Sequence, residues 1–378
     1  MWSKSLIFPA LGVYLIVVVC AVWPPESTRA GSATGGTSND DGGADPSPPV
    51  YRTKKLTGLP YRGVAMQIQS MHPLESYHKN IDEIAAIGAD TLSIVVDCRQ
   101  ENGSSSRIFM DLRMTPGPAE LSKLIQHAKD RNLRVVLMPI VLLDNPRGNE
   151  WRGTIKPESW EDWFDSYRAM MIHYAEVAEQ NKVDVFVVGS ELVSSETKLA
   201  EWTKTIRAIR KTYHGQITYS SNWDHYRAVP FWDQLDMVGM NSYWNLGKVG
   251  DDTLSRREIS PATVKRRWQE IQEDLFAFTR STGKPLILLE VGWCSVRNAA
   301  HEPWDYTQST VGIDLDLQRI LYEGFFESWW GNPNLGGFMI WEWALGEVQP
   351  DNKGYSPQKK PAEKVLQEWL NKGPWEVK

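Results

Sequence analysis

Two stretches of this 378-residue sequence drive an apolar run into a carboxylate. In Lys284-Pro-Leu-Ile-Leu-Leu-Glu-Val-Gly-Trp293 the acidic group is Glu290, and in Val183-Asp-Val-Phe-Val-Val-Gly-Ser-Glu-Leu192 it is Glu191. Runs this short and this apolar read as parallel strands buried on both faces. Counting alternate residues puts Leu286, Leu288 and Glu290 on one side of the first strand, and Val185, Val187, Gly189 and Glu191 on one side of the second. A carboxylate that ends such a strand is costly unless it faces water or a partner, so its presence marks a working group. Two of them on one barrel are what double displacement at a glycosidic carbon needs, one as acid/base and the other as nucleophile.

The other strand ends carry rival carboxylates, Asp97, Asp144, Asp224 and Glu342. Asp224 falls in a polar loop, and Glu342, between Trp341 and Trp343, is expected to face the helices or the rim. Around the same ends stand groups suited to a pyranose: Trp151, Asn222, Trp223, Asn241, Tyr243, Trp244, Trp293 and Trp341. Amides and phenols exchange hydrogen bonds with sugar hydroxyls, and indoles offer a flat apolar platform. The expected substrate-binding set is Asn222, Tyr243, Trp293, Trp341 and Trp151, with Tyr243 also placed to hold Glu290 through its hydroxyl. For most of the 18 Trp, core packing is the plainer reading, so position decides.

The elements that must position these groups are eight apolar strands alternating with amphipathic helices, the pattern of an α/β fold of the (β/α)8 TIM barrel type. The strands are expected at Gly63–Gln69, Thr91–Cys98, Arg134–Leu142, Val183–Leu192, Gln216–Trp223, Leu235–Tyr243, Pro285–Trp293 and Gly337–Trp343. Glu191 and Glu290 then end the fourth and the seventh. Helices are expected between them, for example over Trp160–Asn181 and Pro261–Thr282, with Gly88 and Gly283 as stops.

Several blocks carry a family likeness. Val188-Gly-Ser-Glu-Leu192, Ile217-Thr-Tyr-Ser-Ser-Asn-Trp-Asp224, Asn241-Ser-Tyr243, Glu290-Val-Gly-Trp293, Trp151-Arg-Gly153 and Gly337-Phe-Met-Ile-Trp-Glu-Trp343 resemble glycoside hydrolase family 113. The resemblance spans about residues 60–370. It implies a retaining clan A hydrolase, chiefly an endo-β-1,4-mannanase, in which Glu191 looks like the acid/base and Glu290 like the nucleophile. Most clan A enzymes have Asn before the acid/base, where this chain has Ser190, and family 113 itself tends to a small hydroxyl residue there. Other readings are a different β-glycan hydrolase, such as a β-glucanase or exo-mannosidase, and a non-catalytic carbohydrate-binding barrel. The last has no use for two inward strand-end glutamates.

Composition bounds the remainder. A net charge of -6 and a pI near 5.7 provide no basic footprint for nucleic acid and suit a neutral polysaccharide or oligosaccharide. The seven His form no HExxH pair, so neither a metal nor any other cofactor is expected. Cys98 and Cys294 end strands two and seven, too far apart around a barrel for a disulfide. Residues 1–23 read as a signal peptide or membrane anchor, 24–50 as a disordered Gly/Ser/Asp/Pro linker, and 51–378 as one catalytic domain. The protein is thus expected outside the cell, secreted or anchored to the outer side of a membrane.

Overall fold

Each of the eight expected runs forms a strand, and the strands close on themselves. In the computed structural model they are β1 (Tyr61–Ile68), β2 (Thr91–Gln100), β3 (Arg134–Leu143), β4 (Val185–Ser190), β5 (Gln216–Asn222), β6 (Val238–Asn241), β7 (Leu286–Val291) and β8 (Leu335–Ile340). All neighbouring pairs are parallel, in the order β1-β8-β7-β6-β5-β4-β3-β2, and β2 pairs back to β1. Closure removes every edge of the barrel, so the backbone polar groups of the sheet are paired. The longest ladder is β2 with β3, from Thr91↔Arg134 to Gln100↔Leu143. The structure describes residues 58–69, 72–250, 252–307 and 310–373. The expected leader and linker lie outside them, and among the described residues no helix is long and apolar enough to cross a membrane.

The helices are α1 (Leu74–Ala86), α2 (Pro118–Asp130), α3 (Trp160–Gln180), α4 (Leu199–Thr212), α5 (Pro261–Thr282), α6 (Leu315–Trp329) and α7 (Pro361–Leu370). Their ends follow the local chemistry. Ser159 Oγ accepts from the Asp162 N–H at the start of α3, Ser260 and Thr263 cap α5 reciprocally ahead of Pro261, and Gly283, at φ 67°, turns the chain from α5 toward β7. Between β5 and β6 two 3-10 turns, Tyr226–Ala228 and Trp232–Gln234, stand where the other repeats have an α-helix.

The core has two layers. Inside the barrel sit Ala65, Val95, Val136, Met138, Val185, Val187, Met237, Ile287, Leu289 and Met339. A larger shell of strand and helix side chains packs between barrel and helices, including Leu286, Leu288 and Trp293. This overturns the counting made for β7. Ile287 and Leu289 face inward, while Leu286 and Leu288 face the helices. The register of β7 slips between Leu288 and Glu290 against β6, and between Leu288 and Val291 against β8. That irregularity breaks the alternation, so Glu290 does not share a side with Leu286 and Leu288.

On β4 the inward pair Val185 and Val187 is as expected, but the register against β5 shifts between Val187 and Ser190. Gly189 therefore turns outward. A Cβ there would lie 2.8 Å from Trp202 and from the Tyr167 hydroxyl, and 3.0 Å from the Tyr219 ring, all in the outer shell. Glu191 itself takes φ 54°, a left-handed conformation rare for a residue with a Cβ.

At the opposite end of the barrel, the starts of β1, β2 and β3 are tied by one carboxylate. Asp90 meets Arg62 Nε at 2.7 Å and Arg134 at 2.6 Å, and accepts from the Arg62 backbone N–H and the Thr91 hydroxyl. Burial works against its charge, but Arg134 and Arg62 outweigh burial and hold the pKa below the usual range. Removing it strands two buried guanidiniums, so Asp90→Ala should cost about 3–5 kcal/mol. Because the folded pKa is depressed, this contribution is complete above the unfolded value of about 3.9 and fades as pH falls through the lower folded one. Urea unfolding of both proteins should show a stability gap constant from neutral pH to about pH 5 that narrows below about pH 4.

Candidate active site

The irregular ends of β4 and β7 deliver both carboxylates to one buried cluster. Glu191 is 9% and Glu290 4% exposed. Each is held by named donors. Arg152, in the turn after β3, places its guanidinium 2.6 Å from Glu191 Oε2, and Asn241 Nδ2, at the end of β6, donates to Glu191 Oε1 at 2.8 Å. Asn241 is oriented in turn by the Ser220 hydroxyl, which donates to its Oδ1 at 2.6 Å. The Tyr243 hydroxyl donates to Glu290 Oε2 at 2.6 Å.

The charges decide the protonation of the cluster. Two carboxylates share it with one guanidinium, in a place with little water. Burial and then the Glu191 charge push the Glu290 pKa up to about 8, against the pull of Arg152 and Tyr243. Burial also works against the charge on Arg152, but Glu191 and Glu290 outweigh it and raise its pKa. One proton on the carboxyl pair therefore neutralises the cluster, and that proton belongs to the pair rather than to one residue. Both Glu191 oxygens lie against N–H donors, whereas Glu290 has the Tyr243 hydroxyl.

The expected binding residues separate into two groups. Trp341 follows β8, is half-buried, and donates its N–H to the Val291 carbonyl at 2.8 Å, one residue beyond Glu290. Gly292 makes room for this, since a Cβ there would strike the Trp341 carbonyl. The Trp341–Glu342 peptide is cis. Trp151 is 39% exposed, adjoins Arg152 and lays its ring over Gly153, where a Cβ would collide with it. Asn222 ends β5 in register with Asn241 and is partly exposed. Tyr243 stands at the centre.

Trp293 departs from expectation. It is fully buried, packs edge-on to Tyr322 with ring centroids 5.1 Å apart, and belongs to the outer core, so it does not line a groove. The strand irregularity that turns Glu290 inward leaves Trp293 among the helices.

Glu342, partly exposed, lies near enough for its charge to act on Glu290, and burial raises its own pKa to about 7, so it belongs to the surroundings of the site. Asp97 forms a 2.7 Å ion pair with Arg99 and also feels the Arg152 charge, and burial outweighs these partners to raise it to about 6. Sequence reasoning quoted Arg152 without giving it a role, and passed over Trp304. The latter is 45% exposed and stacks on Trp223 at 5.8 Å and 19°, and Trp223 meets Trp244, the neighbour of Tyr243. Three tryptophans thus form a connected row, of which Trp223 and Trp244 were named from the sequence and Trp304 is added by proximity in the fold.

The reassignment of Trp293 is testable by stability alone. Trp293→Ala should cost about 3–5 kcal/mol and lower the melting temperature by several degrees, whereas Trp151→Ala and Trp304→Ala should each stay within about 0.5 kcal/mol of the parent. Calorimetric melts of the three variants check this, and a Trp293→Ala protein as stable as the parent would return the residue to the surface.

Comparison with known proteins bears on this site. No curated protein matches the chain. Among solved structures, a family 113 β-mannanase from Alicyclobacillus acidocaldarius, in complex with ManMIm, is 27% identical, with a TM-score of 0.72 over 83% of this chain and 97% of that one. A family 113 β-1,4-mannanase solved as a complex is 22% identical, with a TM-score of 0.74 over 84% of this chain and all of the other. A family 5 protein from Streptomyces cattleya, with GlcNAc bound, shares the fold at 13% identity and a TM-score of 0.56, over 85% of this chain and 83% of that one. The model of Glycoside Hydrolase Family 113 matches residues 66–360, a span that takes in both carboxylates and the turn carrying Arg152. On that match the chain belongs to Glycoside Hydrolase Family 113 and is a glycoside hydrolase.

Proposed function

We propose that the protein is a retaining endo-β-1,4-mannanase, with Glu290 as nucleophile and Glu191 as acid/base. The observation that carries the mechanism is the charge balance of the cluster: two buried carboxylates, one guanidinium, and hence one proton. Double displacement needs one carboxylate and one carboxylic acid. In the first step Glu290, held by Tyr243, attacks the anomeric carbon while Glu191 gives its proton to the departing oxygen and the C–O bond breaks. Glu290 is then a neutral ester and Glu191 an anion, which is the state that Arg152 and Asn241 are placed to hold. In the second step Glu191 takes a proton from water, the hydroxyl attacks the anomeric carbon, and Glu290 is released.

The choice of mannan rests on the family and on the solved β-mannanases to which the chain is similar. Trp341, Trp151 and the Trp223–Trp304 pair supply platforms on which the apolar faces of successive sugar rings can rest. A polymer of this kind is met outside the cell, and the apolar stretch at the head of the chain fits export, with the enzyme secreted or held on the outer face of a membrane.

The deciding experiment follows products by proton NMR during hydrolysis of mannan, cellulose and xylan in parallel. Mannan should be cut first and internally, releasing the β-anomer before mutarotation. The α-anomer appearing first would end the retaining mechanism, and faster attack on cellulose would make the enzyme a β-glucanase. Glu290→Ala should abolish turnover, while Glu191→Ala should regain activity when azide is added to an activated aryl glycoside.

The role given to Arg152 yields a separate expectation. Arg152→Met removes the counterion of the Glu191 anion, so the second step should slow more than the first. Stopped-flow assays with a dinitrophenyl glycoside should show a burst and a covalent adduct by mass spectrometry, with kcat reduced about 10²-fold. A uniform loss with no adduct would show that Arg152 serves the first step instead.

A further inference from the structure

Glu191 holds a left-handed backbone conformation that a residue with a Cβ keeps only when its surroundings impose it. The adjoining peptide shows what imposes it. The Leu192 N–H, next in the chain, donates at 2.8 Å to the hydroxyl of Tyr219, a side chain from the middle of β5. That hydroxyl gives its own proton to Glu196 Oε1 at 2.7 Å. Glu196 ends the short helix Val193–Glu196 that follows Glu191, so the relay starts and finishes within residues 192–196. The Glu191 N–H is tied as well, to the Ser220 carbonyl at 2.8 Å, one residue from Tyr219.

The relay is built rather than incidental. Tyr219 is fully buried and Glu196 is 2% exposed. The Tyr219 ring is wedged between Trp202, at 5.4 Å, and Phe231, at 5.3 Å, and rests against Gly189, where any Cβ would crowd it. A phenol has one proton. Once Glu196 accepts it, the oxygen lone pairs remain for Leu192, which fixes the direction of both bonds. Burial raises the Glu196 carboxyl to about 7 despite the Tyr219 hydrogen bond, and the Asp224 and Glu191 charges add to that rise. Its second oxygen has no hydrogen-bond partner, and the His225 ring, partly open to solvent, lies 3.9 Å away. A buried carboxylate kept at that cost, off the line of the reaction, calls for a function.

We infer that Tyr219 and Glu196 are positioning residues that lock the Glu191 turn and so aim its carboxyl at the oxygen of the departing sugar. The inference rests on the reading of Glu191 as acid/base. It makes the alignment of the proton donor depend on a relay that touches neither substrate nor the reacting carboxylates.

The test exploits the leaving group. An acid is needed when the departing sugar is a poor leaving group and hardly needed when dinitrophenolate departs. Tyr219→Phe, Glu196→Gln and Glu191→Ala should be assayed on mannan oligosaccharides and on dinitrophenyl β-mannobioside, with melting temperatures recorded for each. Tyr219→Phe should lose about 10²-fold in kcat on the oligosaccharide, with KM little changed, and less than about threefold on the dinitrophenyl substrate. Glu196→Gln keeps an acceptor for the Tyr219 proton and should lose about three- to tenfold, again on the oligosaccharide alone. Equal losses on both substrates, or full activity of a folded Tyr219→Phe, would overturn the inference. If Tyr219→Phe does not fold, a Glu196→Gln protein with parental kinetics, or with equal losses on both substrates, would overturn it by itself. Should Glu191→Ala show no leaving-group dependence, the acid/base reading fails and not the relay.

Discussion

Two carboxylates buried with a single guanidinium set the terms for everything around them. Alone, either carboxylate would cost several kcal/mol to bury in ionised form, and together they would repel. Arg152 settles one charge, and a shared proton settles the other. The remaining donors divide the labour, Asn241 on Glu191 and Tyr243 on Glu290. On the proposed mechanism, the guanidinium and one proton between the two carboxyl groups let the cluster receive a neutral sugar and pass that proton from one group to the other.

The barrel makes that cluster possible by breaking its own rule at two points. Strict alternation along β7 would set Glu290 on the side of Leu286 and Leu288, facing the helices, and alternation along β4 would leave Gly189 pointing at the interior. Register irregularities before each carboxylate re-aim the chain, and the left-handed turn at Glu191 completes the correction on β4. Such irregularities collect where function needs a side chain that regular pairing would misplace.

The same irregularities mark how far the sequence could be read. Eight strands, their order, and the two carboxylates were legible because apolar runs ending in Glu are a strong local signal. The closed (β/α)8 fold followed from their alternation with helices. Strand ends were less so: β6 stops at Asn241 and β8 at Ile340, although Trp341 and Trp343 still donate to the Val291 and Ala65 carbonyls. Parity counted through β7 failed because a bulge adds a residue without changing composition, and Trp293 was misplaced with it. Arg152, Tyr219, Glu196 and Trp304 were not legible as parts of a site, since their partners are remote in sequence or depend on a bond direction that residue types do not reveal.

The ionic groups of the barrel gather at its two ends. Asp90, Arg62 and Arg134 close the end where the strands begin, Glu191, Glu290 and Arg152 the end where they finish, and between them lie layers of Val, Ile, Leu and Met. A strand of this length separates the two groups by roughly 20 Å, at which a unit charge exerts less than about 1 kcal/mol on another. Working pH and acid tolerance are therefore nearly independent properties of this molecule. Natural or laboratory selection can retune one end for a different acidity without drawing on the reserve that keeps the chain folded, because the length of the strands holds the two sets of charges apart.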